Sequence, residues 1–422
     1  MRRALALLVA TVATTLALTG CSAGKPGVAG PGATPAALIT DVGVTQADIT
    51  LGVLTDYAGP FSDTHLGVLH GQQLWVSETN AAGGICGRKI QLLIRDQRGN
   101  AAQLRSQYAE LEPHVLGFAQ IVGGSLGSTL AQTVSDSETT VFPVSRSAEL
   151  LTNPYLIIPA ATYDIEMING LAYLMQQGKL RDGDTIGFVW LDADAGANAL
   201  RGIQYFAQHH HLVVREAKIT ATSGDIRKIM AGFAAEPRVR AIALSTTPAQ
   251  TAALAELNQR LGLKVPLLGT SSVFTPQLLS GPSPGALAAL SVVSSSVPFA
   301  SDVPAARHVA DSYRHAGYPE LPSSAVPYGY AIGQIWGQLL RRACMNHDMS
   351  RGGLQEALHQ LTKITTDHLV ADLDFTTPGA PATRETSVSV PDPALPGGLR
   401  QVTPLFMAPE AKSYLPPHAK GD

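Results

Sequence analysis

Gly123-Gly124-Ser125-Leu126-Gly127 fits G-x-S-x-G, the spacing that sets a serine nucleophile on a sharp strand-to-helix turn. The same Gly/Ser-rich turn after an apolar strand can instead be a cradle, holding a small molecule on hydroxyls and freed backbone N–H groups without reacting with it. A second hydroxyl cluster follows at Ser145-Arg146-Ser147, where the arginine offers a two-pronged partner to a carboxylate or a surface partner to Glu149. A nucleophile needs a general base and an orienting acid. Histidines stand downstream at 209–211, 308, 315, 347 and 368, so counting alone leaves a triad open. The motif is short and built from common residues, and with 40 glycines in the chain chance matches are expected. His209-His210-His211 has the composition of a metal tract, but it falls at a predicted helix end, where cations suit the dipole. No metal centre and no cofactor are expected.

The elements that must position these groups alternate. Apolar strands are predicted at 49–54, 89–95, 118–122 and 141–144, with helices at 66–80 and 101–111. The alternation resumes with strands at 185–190, 213–219, 241–244 and 266–268 and helices at 195–208, 226–235 and 249–261. Such runs imply parallel sheets covered on both faces, here two doubly wound α/β lobes. Ligands of these folds sit beyond the carboxyl ends of the strands. The loops to read for function are therefore 55–67, 123–128, 145–148, 191–196, 245–248 and 269–273.

The first residues speak to the compartment. Met1-Arg2-Arg3 precedes an uncharged apolar run at 4–18, which is shorter than the roughly 20 residues a membrane span needs and reads as a secretory signal. It ends in Leu18-Thr19-Gly20-Cys21, which resembles the lipobox of bacterial lipoproteins and implies diacylation of Cys21 after cleavage. Two acyl chains suffice for stable attachment. The Gly-, Pro- and Ala-rich stretch 21–45 reads as a tether. The remainder, roughly 400 residues, is too long for one ordinary core. Loss of Arg2 and Arg3 takes the net charge from −3 to −5, and the scattered basic residues exclude a nucleic-acid surface. In an oxidising exported setting the two remaining cysteines, Cys86 and Cys344, most simply form one disulfide; two buried free thiols are the alternative.

"ITLGVLTDYAGPF" and "NAAGGICGRK" resemble the branched-chain amino-acid-binding proteins of bacterial ABC importers, the type I periplasmic binding fold. "VGGSLGSTLA", "TNPYLIIPAATYD", "LNQRLGLKVPLLG" and "YGYAIGQIW" continue the likeness in order, from Ile49 to about Phe375. The resemblance implies two Rossmann-like lobes joined by crossover strands near 156–164, 297–303 and 366–372. Lobe one would take 46–160 and 304–366, and lobe two 161–297 and 372–422. It puts Cys86 and Cys344 together in lobe one. Ser125, Gly127 and Ser128, with Ser145, Arg146 and Ser147, would hold a carboxylate, and Tyr57, Phe61 and Tyr328 are candidates for the apolar side of the cleft or, equally, for lobe core.

The second lobe departs from the family pattern. Ala195 stands where the family has a ligand-touching tyrosine, Thr247 where an aromatic is common, and Ser271 where an acid often receives the ligand's ammonium. Asp192 or Asp194 is left to replace that acid. The implied protein is a monomeric lipoprotein on the extracytoplasmic face, anchored at Cys21, that captures a small polar solute and delivers it to an ABC permease and ATPase complex. Catalysis is not expected. A solute sensor without transport and a secreted serine hydrolase using Ser125 are the alternatives.

Overall fold

Side-chain alternation along the strands builds the scaffold of this computed structural model, which describes residues 37–123 and 126–416. The first lobe's elements are β1 (Ile39–Thr40), β2 (Asp48–Thr55), α1 (Ser62–Ala81), β3 (Lys89–Asp96), α2 (Ala101–Leu111), β4 (Gly117–Ile121), α3 (Leu126–Asp136) and β5 (Thr140–Pro143). The chain then crosses into α4 (Tyr163–Gln176), β6 (Thr185–Leu191), α5 (Asp194–His209), β7 (Val213–Ile219) and α6 (Ile226–Ala234). Next come β8 (Val239–Ser245), α7 (Pro248–Arg260), β9 (Leu267–Gly269) and β10 (Leu290–Ser294). It returns through α8 (Pro304–Ala316), α9 (Ala325–Met345), β11 (Asp348–Met349) and α10 (Arg351–Gln360), and ends with β12 (Ser387–Pro391), β13 (Leu399–Gln401) and α11 (Pro409–Ser413).

One sheet runs β3-β2-β4-β5, all parallel, and a second runs β13-β12-β10-β9-β8-β6-β7. In the second, Phe188, Ala241, Ala243, Leu268 and Val293 bury one face under α4 and α5. Their neighbours Val189, Ile242, Leu244, Leu267 and Val292 bury the other face with residues of α6 and α7. Alternate residues pointing to opposite faces, both apolar, are what a parallel sheet between two helical layers requires. A small β1–β11 pair completes the first lobe's edge.

The last third of the chain adds a strand and departs from the expected lobe boundary. Residues 387–398 contain β12, whose Val388 pairs antiparallel with Val293 and buries its side chain in the second lobe's core. Residues 372–386, assigned by resemblance to lobe two, begin in lobe one: Leu373 and Ala382 pack in its core. The crossings lie side by side. Ala161 donates its N–H to Ser295 Oγ (3.0 Å), Ala371 to the Ser295 carbonyl (2.9 Å) and Val297 to the Leu369 carbonyl (3.0 Å).

Two helices with their N-termini at the cleft are locked by close approach. A Cβ on Gly71 of α1 would lie 2.1 Å from the Val326 carbonyl oxygen, and one on Gly329 of α9 would lie 2.0 Å from that of Val68. Only glycine fits such a crossing. It fixes Thr64 of α1 and Tyr328 of α9 along one wall of the cleft. Cys86, in the turn before β3, and Cys344, in the last turn of α9, form a disulfide, as expected.

Candidate functional site

The carboxyl ends of both sheets face one another across a cleft, and the lobes touch there. Arg201 of α5 pairs with Glu149, the Ser147 hydroxyl donates to the Asp194 carbonyl (3.3 Å), and Phe61 packs against the second lobe's core. Between the lobes lie two adjoining chambers. The loop-side chamber, about 120 Å³, is bounded by Phe61, Val144, Tyr163, Leu191, Ala193 and Ala195, with Thr64, His65, Ser145, Ser245, Thr246 and Ser272 as its polar residues. The hinge-side chamber, about 70 Å³, is bounded by Arg146, Tyr163, Ser271, Ser294, Ser324 and Tyr328 among others. Thr64, Val144, Tyr163 and Ser272 border both.

Arg146 is already engaged within the wall of the hinge-side chamber. Its Nη1 lies 3.0 Å from Glu166 Oε1 and 3.5 Å from Ser294 Oγ, and its guanidinium stands 4.3 Å over the Tyr328 ring. Glu166, in the first turn of α4, is fully buried; its Oε2 accepts the Ser271 N–H at 2.9 Å. Burial pushes the Glu166 carboxyl up to about 6, although Arg146 and the Ser271 N–H pull it back. Burial also opposes the charge on Arg146, but Tyr328 and Glu166 more than offset that, and its pKa is raised. The pair therefore presents a neutral wall.

His65 is the second titratable group at the cleft. Burial pulls it down to about 4 against the opposing influence of Asp56, so the ring is neutral. Its Nδ1 is buried without a hydrogen-bond partner among the described residues, as is Ser324 Oγ beside the hinge-side chamber; the Tyr328 hydroxyl is buried there too, within reach of Arg146.

Of the residues singled out in the sequence, Phe61, Ser145 and Ala195 border the loop-side chamber, and Arg146, Ser271 and Tyr328 the hinge-side one. Tyr57 borders neither: it is 47% exposed, its N–H directed at Asp96 Oδ1. Asp192 points away, paired with Lys218 at 3.2 Å, and so does not replace the missing acid. Thr247 is spent as the N-cap of α7, accepting the Gln250 N–H (3.2 Å). Ser147 is buried and bonds Glu149. Asp194 opens α5 half-buried, its carboxyl raised by burial, and borders neither chamber. Ser125 lies outside the described residues, as does Cys21, and Gly127 and Ser128 are described only as backbone of α3.

Sequence reading missed Glu166 and Tyr163. It also missed Thr64, His65 and Ser272, although they fall within the post-strand loops marked at 55–67 and 269–273. The downstream histidines are placed elsewhere: His210 bridges Asp182 and Glu410, and His308 bonds Glu78. Among the described residues none of the downstream histidines borders a chamber. No described helix is long and apolar enough to cross a membrane.

The family described as periplasmic binding protein matches residues 48–389. A fatty acid ABC transporter substrate-binding protein from Thermomonospora curvata is 33% identical, with a TM-score of 0.87 over 90% of this chain and 98% of its own. A branched chain amino acid ABC transporter from Thermus thermophilus with bound valine is 18% identical, with a TM-score of 0.77 over 87% and 99%. A leucine binding protein from Thermotoga maritima is 14% identical, with a TM-score of 0.71 over 85% and 99%. The last two likenesses establish fold alone. No curated protein sequence matches.

Proposed function

Because the chain belongs to the periplasmic binding protein family, we propose that it works outside the cytoplasm, capturing a solute between its lobes for an ABC importer. The solute is a small monocarboxylate with an apolar body, a shift from the polar solute the sequence suggested. The wall of the loop-side chamber carries this reading: the surface it exposes is mainly apolar, and no described Asp or Glu borders either chamber. An ammonium there would be left unpaired at a cost of several kcal/mol, which disfavours valine and leucine. A chamber of about 120 Å³ is comparable with an apolar cavity of roughly 150 Å³ that holds benzene, so a short acyl body fits. The fatty acid named for the Thermomonospora curvata relative supports the same class.

A thermal-shift panel tests the proposal. Octanoate or hexanoate at a hundred times its dissociation constant should stabilise the protein by about 2.7 kcal/mol, while leucine, valine and sugars give no shift. Ala195→Trp, which fills the loop-side chamber, should abolish the octanoate shift. A strong shift with leucine that vanishes in Asp194→Asn would reverse the solute assignment and name the acid. The work done is differential stabilisation of the closed state by the solute, with no catalytic step.

Lipid anchoring through Cys21 is part of the proposal, resting on Leu18-Thr19-Gly20-Cys21. Cys21→Ser should move the protein from the membrane fraction into the soluble one. Membrane retention of that variant, with no lipid label on the wild type, refutes it.

A further inference from the structure

The hinge-side chamber continues the cleft past Tyr163, and the four residues bordering both chambers allow one molecule to occupy both. Its chemistry is unlike that of the loop-side wall. Ser324 Oγ is buried beside it without a hydrogen-bond partner among the described residues, and the Tyr328 hydroxyl is buried there with the Arg146 guanidinium as its neighbour. A buried polar group left unmade costs about 1–3 kcal/mol, so these hydroxyls beside one small cavity point to a polar group that completes them. Arg146 forms part of the same wall, with Glu166 behind it and out of contact with the chamber.

We infer that this chamber holds the carboxylate of the solute on Arg146, Ser324 and Tyr328, and that Glu166 takes up one proton as it enters. This rests on the monocarboxylate reading above. The charges require the proton. Arg146 and Glu166 sum to zero before binding, and a carboxylate added to them leaves one uncompensated buried negative charge, which is costly. The incoming carboxylate takes the place of Glu166 Oε1 on Arg146 Nη1. Glu166 Oε1 then receives a proton from solvent, while the Ser271 N–H stays on Oε2. One O–H bond forms and no other bond changes.

The groups facing Glu166 leave it as the titrating one. Arg146 stays charged, and burial raises the phenols of Tyr163 and Tyr328, which remain neutral. Asp164 on the same helix is tied to Thr162 and Asn198, and His65 faces the other chamber as a neutral ring. Glu166, already near 6, is within reach of a proton at neutral pH.

Calorimetry of the full chain with octanoate at pH 7, in phosphate and in Tris, measures the proton directly. The expected result is an uptake of about one proton per octanoate, with affinity falling up to about tenfold per pH unit between 6 and 8. Glu166→Gln should bind octanoate at pH 8 at least about tenfold tighter than the wild type and lose the pH slope. Tyr328→Phe should weaken binding while keeping the slope. Octanoate binding with no proton uptake and no slope overturns this inference and leaves the solute class standing. Failure of octanoate and hexanoate to bind at either pH removes both. Should Glu166→Gln not fold, the two-buffer measurement on the wild type decides alone.

Discussion

Arg146→Ala is expected to lower the unfolding free energy by about 3 kcal/mol at pH 7 and by about half that at pH 5. Removing one member of a buried ion pair strands the other, and Glu166 has no exposure through which water could replace the guanidinium. The pH dependence follows from the sign of the Glu166 shift. Its folded value of about 6 lies above the ordinary 4.5, so the protonated form is favoured by folding. That contribution is complete below 4.5 and is lost as pH rises to 6, about 2 kcal/mol in the wild type. Without Arg146 the carboxyl stays protonated through pH 7, and the variant goes on losing about 1.4 kcal/mol where the wild type no longer does. Urea titrations of both proteins at pH 5 and pH 7 measure this. Equal losses at the two pH values contradict it.

Loss of the disulfide is the second large effect. Cys86 and Cys344 are 258 residues apart, and their link ties the turn between α1 and β3 to the end of α9. A closure of that length is at the upper end of the chain-entropy estimate, about 5 kcal/mol, of which folded-state strain and residual structure in the unfolded chain typically leave 2–4. The double variant Cys86→Ser, Cys344→Ser should lose about that much, and the wild type with reductant should match it. An unchanged urea midpoint on reduction, or two free thiols titrated in protein from an oxidising compartment, goes against it.

The layer architecture was legible because apolar alternation writes both faces of a parallel sheet into consecutive residues, as in Val189 against Phe188 and Trp190. β12 was not, because Ser387-Val388-Ser389-Val390 is short and runs straight into the turn signals of Pro391 to Gly398. It becomes a strand by pairing with β10, a contact between distant segments. The post-strand loops line the two chambers, but their spacing did not reveal the partners formed there. Arg146 has Glu149 three residues away, yet Arg201 takes Glu149 and Arg146 takes Glu166 from across the crossover. Glu166 reads in sequence as a first-turn acid suited to the helix dipole, with no local sign that tertiary packing buries it. Tyr57 and Phe61 share one turn and one chemical type, and only the latter reaches the chamber. Direction within a turn is set by backbone geometry that composition does not carry.

We propose that the cleft takes an apolar-bodied monocarboxylate and not an amino-acid zwitterion. Calorimetric titration of the wild type with octanoate and, separately, with leucine at pH 6 tests it most directly. Saturable binding of one octanoate per chain, with no heat from leucine, is the predicted result; one leucine bound per chain, with no binding of octanoate, would contradict it.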